Sequence, residues 1–416
     1  MTRTCTERRL STTTATELAR PPARPSRLHR QISDFTGKSS TRVTPPGVVV
    51  HRPATNRLQV VSQNSQGRCV LYTRTDLLTQ ETTYTLESRV RRGEHVRVAS
   101  GLYVDGLDLS GLPEAIHALR VRAHARRCEH VASHVSAAVL HGLPVPAADL
   151  AEVHFSRPGS SGNDLVGDRR LHAGCPTDEW LTEIDNIRVT SVARTLIDVA
   201  RTQPLLAAVA AIDAALQRGM VDPAALVKAF EAEHRWPGSS HARRALKAAD
   251  GRAESPTETW SRLAVADLDK GHELQFEVFD DAGRFVGRAD GGFPKLGVIW
   301  EYDGQGKYEE LRDPSVTREQ VVEAQLVRER RMTRLGWTVV RAATPDLSDK
   351  DRFRHDVARA VGAAGAPGWL PPRGTVKLKK PVCVDLRDPI RWDAAMREEM
   401  YERWKRRSAR RQAPEW

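Results

Sequence analysis

The chain has 416 residues and a formal net charge of +11, with 28% charged and 40% hydrophobic residues. This length exceeds one typical domain, so we expect two or three domains. No run of about 18 apolar residues is present, and the basic N-terminus lacks an apolar segment. We therefore expect no transmembrane helix, no membrane partner and no secretory signal.

The excess of positive charge is concentrated at the two ends of the chain. Residues 1–60 contain 11 Lys and Arg against 3 Asp and Glu, and residues 367–416 contain 13 against 7. Basic tails add salt-sensitive attraction to phosphate, and they also occur as solubilising arms. We expect a disordered basic arm at 1–66 and a basic linker and tail at 365–416.

The cysteines indicate a reducing compartment. The five are scattered and show no CxxC spacing, which argues against a zinc site and against a disulfide framework. A cytoplasmic location is therefore expected. The residues are Cys5, Cys69, Cys128, Cys175 and Cys383.

The first ordered unit, expected at 67–110, has the pattern of helices followed by a β-hairpin. Helix signals cover 75–90, and residues 95–104 alternate between polar and apolar side chains around a glycine. This order predicts a winged helix-turn-helix that binds DNA. The alternative is an ordinary helix whose C-terminal end carries favourable cations. The candidate contacts to DNA phosphates are Arg89, Arg91, Arg92 and Arg97.

The second unit, expected at 111–250, mixes helices and strands and carries no catalytic motif. Residues 133–142 read as a short buried helix, and Ser191 is a plausible cap of a helix at 192–200. No Gly-rich phosphate loop, Cys/His metal spacing or nucleophile elbow is present. Its histidines are interpreted as core residues that satisfy polar groups, with a ligand role as the alternative. They are His134, His141, His154 and His172.

A strand is predicted in the next unit, 251–364. It covers 285–290, where alternation of side chains would place Asp290 on the same face as Val286. The Gly-Gly pair at 291–292 and Pro294 are expected to supply the turn between this strand and the next.

The following strand, 298–303, carries an acid in an unusual position. Glu301 lies inside an apolar run, where a charge is costly unless it is paired or bound to a metal. Asp303 should share its face. Together with Asp290, three carboxylates would repel one another unless a cation lies among them. Oxygen ligands of this kind suit Mg²⁺ or Mn²⁺ rather than zinc.

The stretch from about Glu254 to Leu347 resembles the PD-(D/E)XK nuclease fold, an α/β restriction-endonuclease-like architecture, in the branch of very-short-patch-repair endonucleases. The pieces agree in order and spacing. They are Glu254-Ser-Pro-Thr-Glu258 on a helix, Gly287-Arg-Ala-Asp290, Glu301-Tyr-Asp-Gly304, Arg328-Glu329 on a basic helix, and Leu335–Arg341 as the final core strand.

This resemblance implies a site for phosphodiester hydrolysis. Asp290 and Glu301 would hold Mg²⁺ or Mn²⁺, and Glu258 would complete the metal shell or orient the attacking water. The family pattern has Lys two residues after the Glu, where this sequence has Asp303. Lys307 follows in the same segment and would supply the missing positive charge.

The stretch 68–250 resembles the AbiEi-type antitoxins of type IV toxin–antitoxin systems. The resemblance implies a winged-helix DNA-binding module followed by the second domain of that family, in an α+β N-terminal region. It also raises a toxin as a partner protein. The matching pieces are Arg91-Arg-Gly93 through Gly101–Val104, the block Ser133–Gly142, and Val189–Asp198.

Two functions follow from these expectations. The first is a DNA-binding, Mg²⁺-dependent endonuclease in defence, repair or a toxin–antitoxin system. The second is a transcriptional regulator or antitoxin that keeps the nuclease fold without its activity. Asp303 at the lysine position favours the regulator. The carboxylates retained in an apolar strand favour the endonuclease, and we expect the endonuclease function of the two.

Overall fold

The computed structural model shows a mixed α and β protein with three β-sheets in its described residues. None of the described helices combines the length and apolar composition needed to cross a membrane. The structure describes residues 49–51, 58–61, 68–78, 82–99, 101–105, 113–125, 129–157, 162–174, 176–268, 271–303, 318–343 and 349–386.

The first sheet is antiparallel and is joined to two short helices. In chain order the elements are β1 (Val49–His51), β2 (Leu58–Val61), β3 (Arg68–Thr73), α1 (Arg74–Leu78), α2 (Thr83–Arg91), β4 (His95–Ala99) and β5 (Leu102–Asp105). The strand order is β1-β2-β3-β5-β4. The two helices and the hairpin expected within 75–104 are therefore confirmed as elements.

The second sheet is mixed and is covered by helices. Its elements are α3 (Pro113–Ala125), β6 (Val131–Ala132), α4 (His134–Leu140), β7 (Val153–Arg157), β8 (Asp164–Val166), β9 (Arg169–Ala173), β10 (Leu181–Ile184), β11 (Ile187–Thr190), α5 (Val192–Thr202), α6 (Leu205–Gln217), α7 (Pro223–Glu233) and α8 (Ser239–Ala248). The strand order is β10-β11-β6-β7-β9-β8. Ser191 caps α5 as expected, because its side chain accepts a hydrogen bond from the amide of Arg194.

The third sheet holds the strands that carry the candidate site. Its elements are α9 (Pro256–Ala264), β12 (Glu273–Phe279), β13 (Phe285–Phe293), β14 (Val298–Asp303), α10 (Arg318–Arg334), β15 (Thr338–Ala343), α11 (Lys350–Ala363) and β16 (Thr375–Lys377). The strand order is β15-β14-β13-β12-β16, and β14 with β15 is the parallel pair. Separate apolar clusters lie around Trp260 and around Met332.

The expected turn is confirmed at Pro294 but is wrong at 291–292, because both glycines lie inside β13. Gly291 is paired with Trp300 and Gly292 with Ile299. A Cβ at 291 would collide with the indole ring of Trp300, and a Cβ at 292 would collide with the backbone of β14. These glycines therefore allow close packing, and the chain reverses instead through residues 294–297, where Gly297 has a φ of 65°.

The strict alternation expected over 285–290 is also wrong. The pairing of β12 with β13 shifts between Val278 and Phe279, which leaves Val286 as an extra residue. Val286 and Ala289 consequently pack in the same apolar cluster although they are three residues apart. A bulge of this kind bends a strand and changes the direction of the side chains that follow it.

The second and third units share a buried polar contact. Arg262 of α9 forms an ion pair of 2.6 Å with Asp213 of α6, and Thr259 donates a hydrogen bond to the same carboxylate. The C-terminal segment adds to this interface: β16 pairs with β12, and Val384 and Leu386 pack into the core of the second unit. Part of the stretch expected as a linker therefore contributes to the fold.

We expect Gly291→Ala to destabilise the protein by about 1–3 kcal/mol, because the added methyl group requires Trp300 or the strand to move. The matched control is Gly362→Ala in α11, where an added Cβ meets nothing within 4 Å. That variant should be neutral or slightly more stable. Urea unfolding measures both, and equal midpoints for Gly291→Ala and the natural protein would contradict the packing argument.

Candidate active site

The first residue of the site, Glu258, is fixed by the start of α9. Ser255 is the N-cap, and its hydroxyl accepts a hydrogen bond from the Glu258 amide and donates one of 3.0 Å to the Glu258 carboxylate. The backbone amide of Glu254 donates to the same carboxylate at 2.8 Å. This is a capping box, so part of the role of Glu258 is to begin the helix.

Capping does not explain the electrostatics of Glu258. Burial and the neighbouring negative charge of Asp290 raise its pKa from an ordinary 4.5 to about 7. Within the described ranges, neither of these carboxylates forms an ion pair with a lysine or an arginine. Asp290 instead accepts a hydrogen bond of 3.0 Å from the backbone amide of Tyr302. The negative charge of Asp290 therefore acts on a carboxylate that has no compensating positive charge among the described residues.

A third polar group, Gln275 of β12, completes this arrangement. It is buried, its Nε2 donates to the Glu258 carboxylate at 2.8 Å, and its Oε1 has no hydrogen-bond partner among the described residues. Its φ of 51° is positive, which costs energy in a residue other than glycine. Such strain is often kept at functional sites. Sequence reasoning missed Gln275, because one glutamine in a strand carries no local signal.

Glu301 has a different environment from that of Glu258 and Asp290. Its side chain is 5% exposed and forms ion pairs of 2.7 Å with Arg328 of α10 and 3.4 Å with Arg341 of β15. Arg341 in turn forms an ion pair of 2.8 Å with Glu329. The buried charge of Glu301 is therefore paired, which is one of the two arrangements expected for it.

Of the remaining candidate site residues, Asp303 is described only in its backbone and Lys307 is not described. Asp303 is the last residue of β14, and its side chain lies outside the described part of the structure, as does the whole of Lys307. Arg288 forms an ion pair of 3.0 Å with Glu254. Among the residues that the structure describes, no three Asp, Glu, His or Cys side chains come together as a group that could hold a metal ion.

The groups around Asp290 nevertheless fit a hard divalent cation. Glu258 and Asp290 are carboxylates without a paired lysine or arginine among the described residues. Gln275, whose Nε2 donates to Glu258, also carries a buried amide oxygen without a partner there, so the polar groups at this place can offer oxygen ligands. Mg²⁺ and Mn²⁺ prefer such oxygens and retain several water ligands, so few protein ligands are needed. The fit concerns Glu258, Asp290 and Gln275, while Glu301 lies against two arginines.

The candidate DNA contacts of the first unit fall into two pairs. Arg89 and Arg92 each form an ion pair with Glu94, at 3.2 and 2.6 Å. Arg91 at the end of α2 and Arg97 in β4 are exposed and have no ion pair or hydrogen bond from their side chains in the described structure. The second pair is therefore better placed to bind phosphate.

The histidines of the second unit are buried and contact one another or the backbone. The rings of His134 and His172 stack at 3.5 Å, and His154 shares a hydrogen bond of 3.0 Å with His172. His141 Nε2 donates to the carbonyl oxygen of Thr190. Burial lowers the pKa of each, and that of His154 to about 3. The interpretation as core residues therefore fits their contacts better than a ligand role.

Arg194 and Asp198, four residues apart on α5, form an ion pair that belongs to a larger network. Arg194 contacts Asp198 at 3.0 Å and Glu233 at 2.6 Å, and Arg201 contacts both acids. Both guanidinium groups also lie over the ring of Trp236. The arginines and acids of this network neutralise one another, so we interpret it as a structural network.

Two uncharacterized proteins of Mycobacterium tuberculosis are similar to this chain, one from strain CDC 1551 / Oshkosh and one from strain ATCC 25618 / H37Rv. Each is 28% identical to it over 296 residues, which is 69% of this chain and 100% of the relative. No family model matches the chain, and no solved structure matches it significantly.

We expect Glu258→Gln to change the pH dependence of stability in metal-free protein. Because the pKa of Glu258 is raised from 4.5 to about 7, its contribution to stability is complete below pH 4.5 and is lost as the pH rises through 7. Relative to the natural protein, the variant should therefore gain roughly 1–3 kcal/mol between about pH 4.5 and pH 8.

The matched control for that experiment is Glu231→Gln, since Glu231 is an exposed glutamate of α7. Its unfolding free energy should follow that of the natural protein at every pH. Chemical denaturation across the pH range measures both differences. A Glu258→Gln curve parallel to the natural one would show that the two carboxylates do not repel each other.

Proposed function

We propose that this protein is a DNA endonuclease that uses Mg²⁺ or Mn²⁺ to hydrolyse phosphodiester bonds, with a PD-(D/E)XK nuclease domain at 251–364. The observation that carries the proposal is that Glu258, largely buried and acted on by the negative charge of Asp290, is held by Gln275, while neither acid is paired with a lysine or arginine among the described residues. Perturbed acids of this kind concentrate at catalytic sites. The order of α9, β13, β14, α10 and β15 also agrees with the order that the nuclease resemblance implies.

The carboxylates of Glu258 and Asp290 would hold the metal, together with Oε1 of Gln275. A bound divalent cation supplies Lewis-acid stabilisation of the phosphate and lowers the pKa of a water molecule. Glu258 is largely protonated below pH 7, so it must release its proton before it can act as a ligand. The Tyr302 amide holds the Asp290 carboxylate in place through its hydrogen bond.

Arg328 and Arg341 would bind the phosphate group of the substrate. Both guanidinium groups converge on Glu301, and both side chains are partly exposed. A guanidinium matches the geometry of phosphate oxygens, and two of them would stabilise the negative charge that develops during hydrolysis. In this arrangement Glu301 orients the two arginines, and Arg328 supplies the positive charge that the family pattern assigns to lysine.

The first unit would bind duplex DNA as a winged helix-turn-helix. Support comes from the order of α1, α2 and the β4–β5 hairpin, and from the two exposed arginines, Arg91 and Arg97, without partners in the described structure. Phosphate contacts of this kind are independent of sequence and position the protein on DNA. The buried contact between α6 and α9 would then hold the nuclease domain at a fixed place relative to the second unit.

The natural protein should cleave plasmid DNA with Mg²⁺ or Mn²⁺ and not with EDTA. Asp290→Asn should lower cleavage by about 100-fold or more, because the loss of a charged ligand weakens metal binding and transition-state stabilisation. Asparagine still accepts the hydrogen bond from Tyr302, so the fold should persist. Gel assays with purified variants measure the rates.

The matched control is Asp267→Asn, which neutralises an exposed aspartate paired with Arg354 in the same unit. Its cleavage rate should equal that of the natural protein. If neither protein cleaves DNA with any divalent metal, while both bind DNA, the nuclease proposal fails. The protein would then be a DNA-binding regulator with a retained nuclease fold.

We expect Arg91→Gln and Arg97→Gln each to weaken binding to duplex DNA and to reduce its salt dependence by about one unit of slope. Arg92→Gln is the matched control, because its guanidinium is already occupied by Glu94 and Ser88. Fluorescence anisotropy across a salt series measures the slopes. Three equal slopes, all unchanged from the natural protein, would mean that this unit does not contact DNA phosphates.

A further inference from the structure

A surface groove lies between the start of β13 and the exposed side of α10. Its volume is about 430 Å³, which is within the range of small-ligand pockets. Its apolar lining residues are Phe285 and Val286 from the strand, and Ala324 and Val327 from the helix. Phe285 is 57% exposed although its ring makes an edge contact with Phe279, so much of this aromatic side chain is accessible to solvent.

Three arginines also line the groove, and no carboxylate is among the described residues that line it. Arg288 and Arg328 are each held by an acid outside the groove, Glu254 and Glu301. Arg331 is exposed and has no such partner in the described part of the chain. The groove therefore combines apolar and positively charged side chains.

The groove also depends on Gly287. A Cβ at this position would lie 2.7 Å from the Met332 methyl group and 2.8 Å from Cδ of Arg328. Only a residue without a side chain lets α10 approach the strand this closely. The short distance keeps the arginines of the helix beside the aromatic ring of Phe285.

We infer that this groove binds an unpaired nucleotide of the DNA substrate, with the base stacked on Phe285 and its phosphate bound by Arg331. An exposed aromatic ring and cationic side chains are the combination by which proteins bind single-stranded nucleic acid. Charge complementarity selects an anionic ligand, and the apolar lining selects one with a flat apolar face. A nucleotide has both properties.

The groove is continuous with the candidate active site, and the inference rests on the proposed nuclease function. Arg328 lines the groove and also contacts Glu301. Val286 is four residues from Asp290 along β13, a distance of about 13 Å. A DNA strand that places its phosphate at the metal site would thus reach the groove within a few nucleotides. The substrate class is therefore DNA with an unpaired stretch beside the cleaved bond.

The test is binding of labelled DNA to the full-length protein in EDTA, so that no cleavage occurs. The probes are a duplex with a short single-stranded gap that contains 2-aminopurine, and the same duplex fully paired. The natural protein should bind the gapped duplex more tightly, and the 2-aminopurine fluorescence should be quenched by stacking. Phe285→Ala should weaken binding to the gapped duplex by roughly 5- to 100-fold and abolish the quenching.

Two matched controls separate the groove from general effects. Leu370→Ala removes an exposed apolar side chain outside the groove, 78% exposed against 57% for Phe285, and should leave binding unchanged. Arg331→Gln and Arg330→Gln remove the same charge from adjacent exposed residues of α10, but Arg331 alone lines the groove. Arg331→Gln should weaken binding to the gapped duplex more than Arg330→Gln does.

The outcomes distinguish this inference from the proposed function. Equal binding of both probes, or Phe285→Ala and Arg331→Gln binding like the natural protein, overturns the inference even if the protein cleaves DNA. Selective, Phe285-dependent binding of the gapped duplex supports it, and this result can be obtained even if no metal produces cleavage. In that case the groove binds nucleic acid and the nuclease proposal alone fails.

Discussion

The constraint on the C-terminal unit is Glu258, a largely buried carboxylate that feels the negative charge of Asp290 and has no paired cation in the described structure. Burial and, to a smaller extent, the like charge raise the pKa of Glu258 to about 7, because each effect disfavours the ionised form. A fold under selection for stability alone would place an arginine beside such a pair. Nearby arginines exist, but they contact Glu254, Glu301 and Asp213 instead. The arrangement leaves a position suited to a cation.

Several elements hold this unfavourable pair in place. Ser255 fixes the first turn of α9, and Arg262 ties the same helix to Asp213 of the second unit at 2.6 Å. Gln275 contacts Glu258 from β12 with a backbone of positive φ. Ser255 and Arg262 act only by positioning α9, whereas Gln275 both positions Glu258 and offers an oxygen ligand. The second unit thus contributes to the site by positioning α9 through Asp213. Burial of this contact raises the pKa of Asp213 to about 6.

The sequence predicts the elements of the site well and their contacts less well. The Ser-x-x-Glu pattern at 255–258 marks a helix start, and the apolar run around Glu301 marks a strand, because both signals are local. One ion-pair partner of Glu301 is Arg328, which lies 27 residues further along the chain. No periodic pattern in the sequence identifies such a distant partner. The Gly-Gly pair at 291–292 is also wrongly assigned to a turn. Glycine is required there by close packing inside the sheet, against the ring of Trp300 at 291 and the backbone of Val298 at 292.

The central claim is that Glu258 and Asp290 bind a divalent cation, and proton release measures it most directly. Calorimetric titration with Mn²⁺ in buffers of different ionisation enthalpy gives the number of protons released per metal bound. With a pKa of about 7 for Glu258, release should be about 0.9 at pH 6 and about 0.1 at pH 8. In Glu258→Gln this pH dependence should be lost. The absence of Mn²⁺ binding, or the same proton release in Glu258→Gln, would contradict the account.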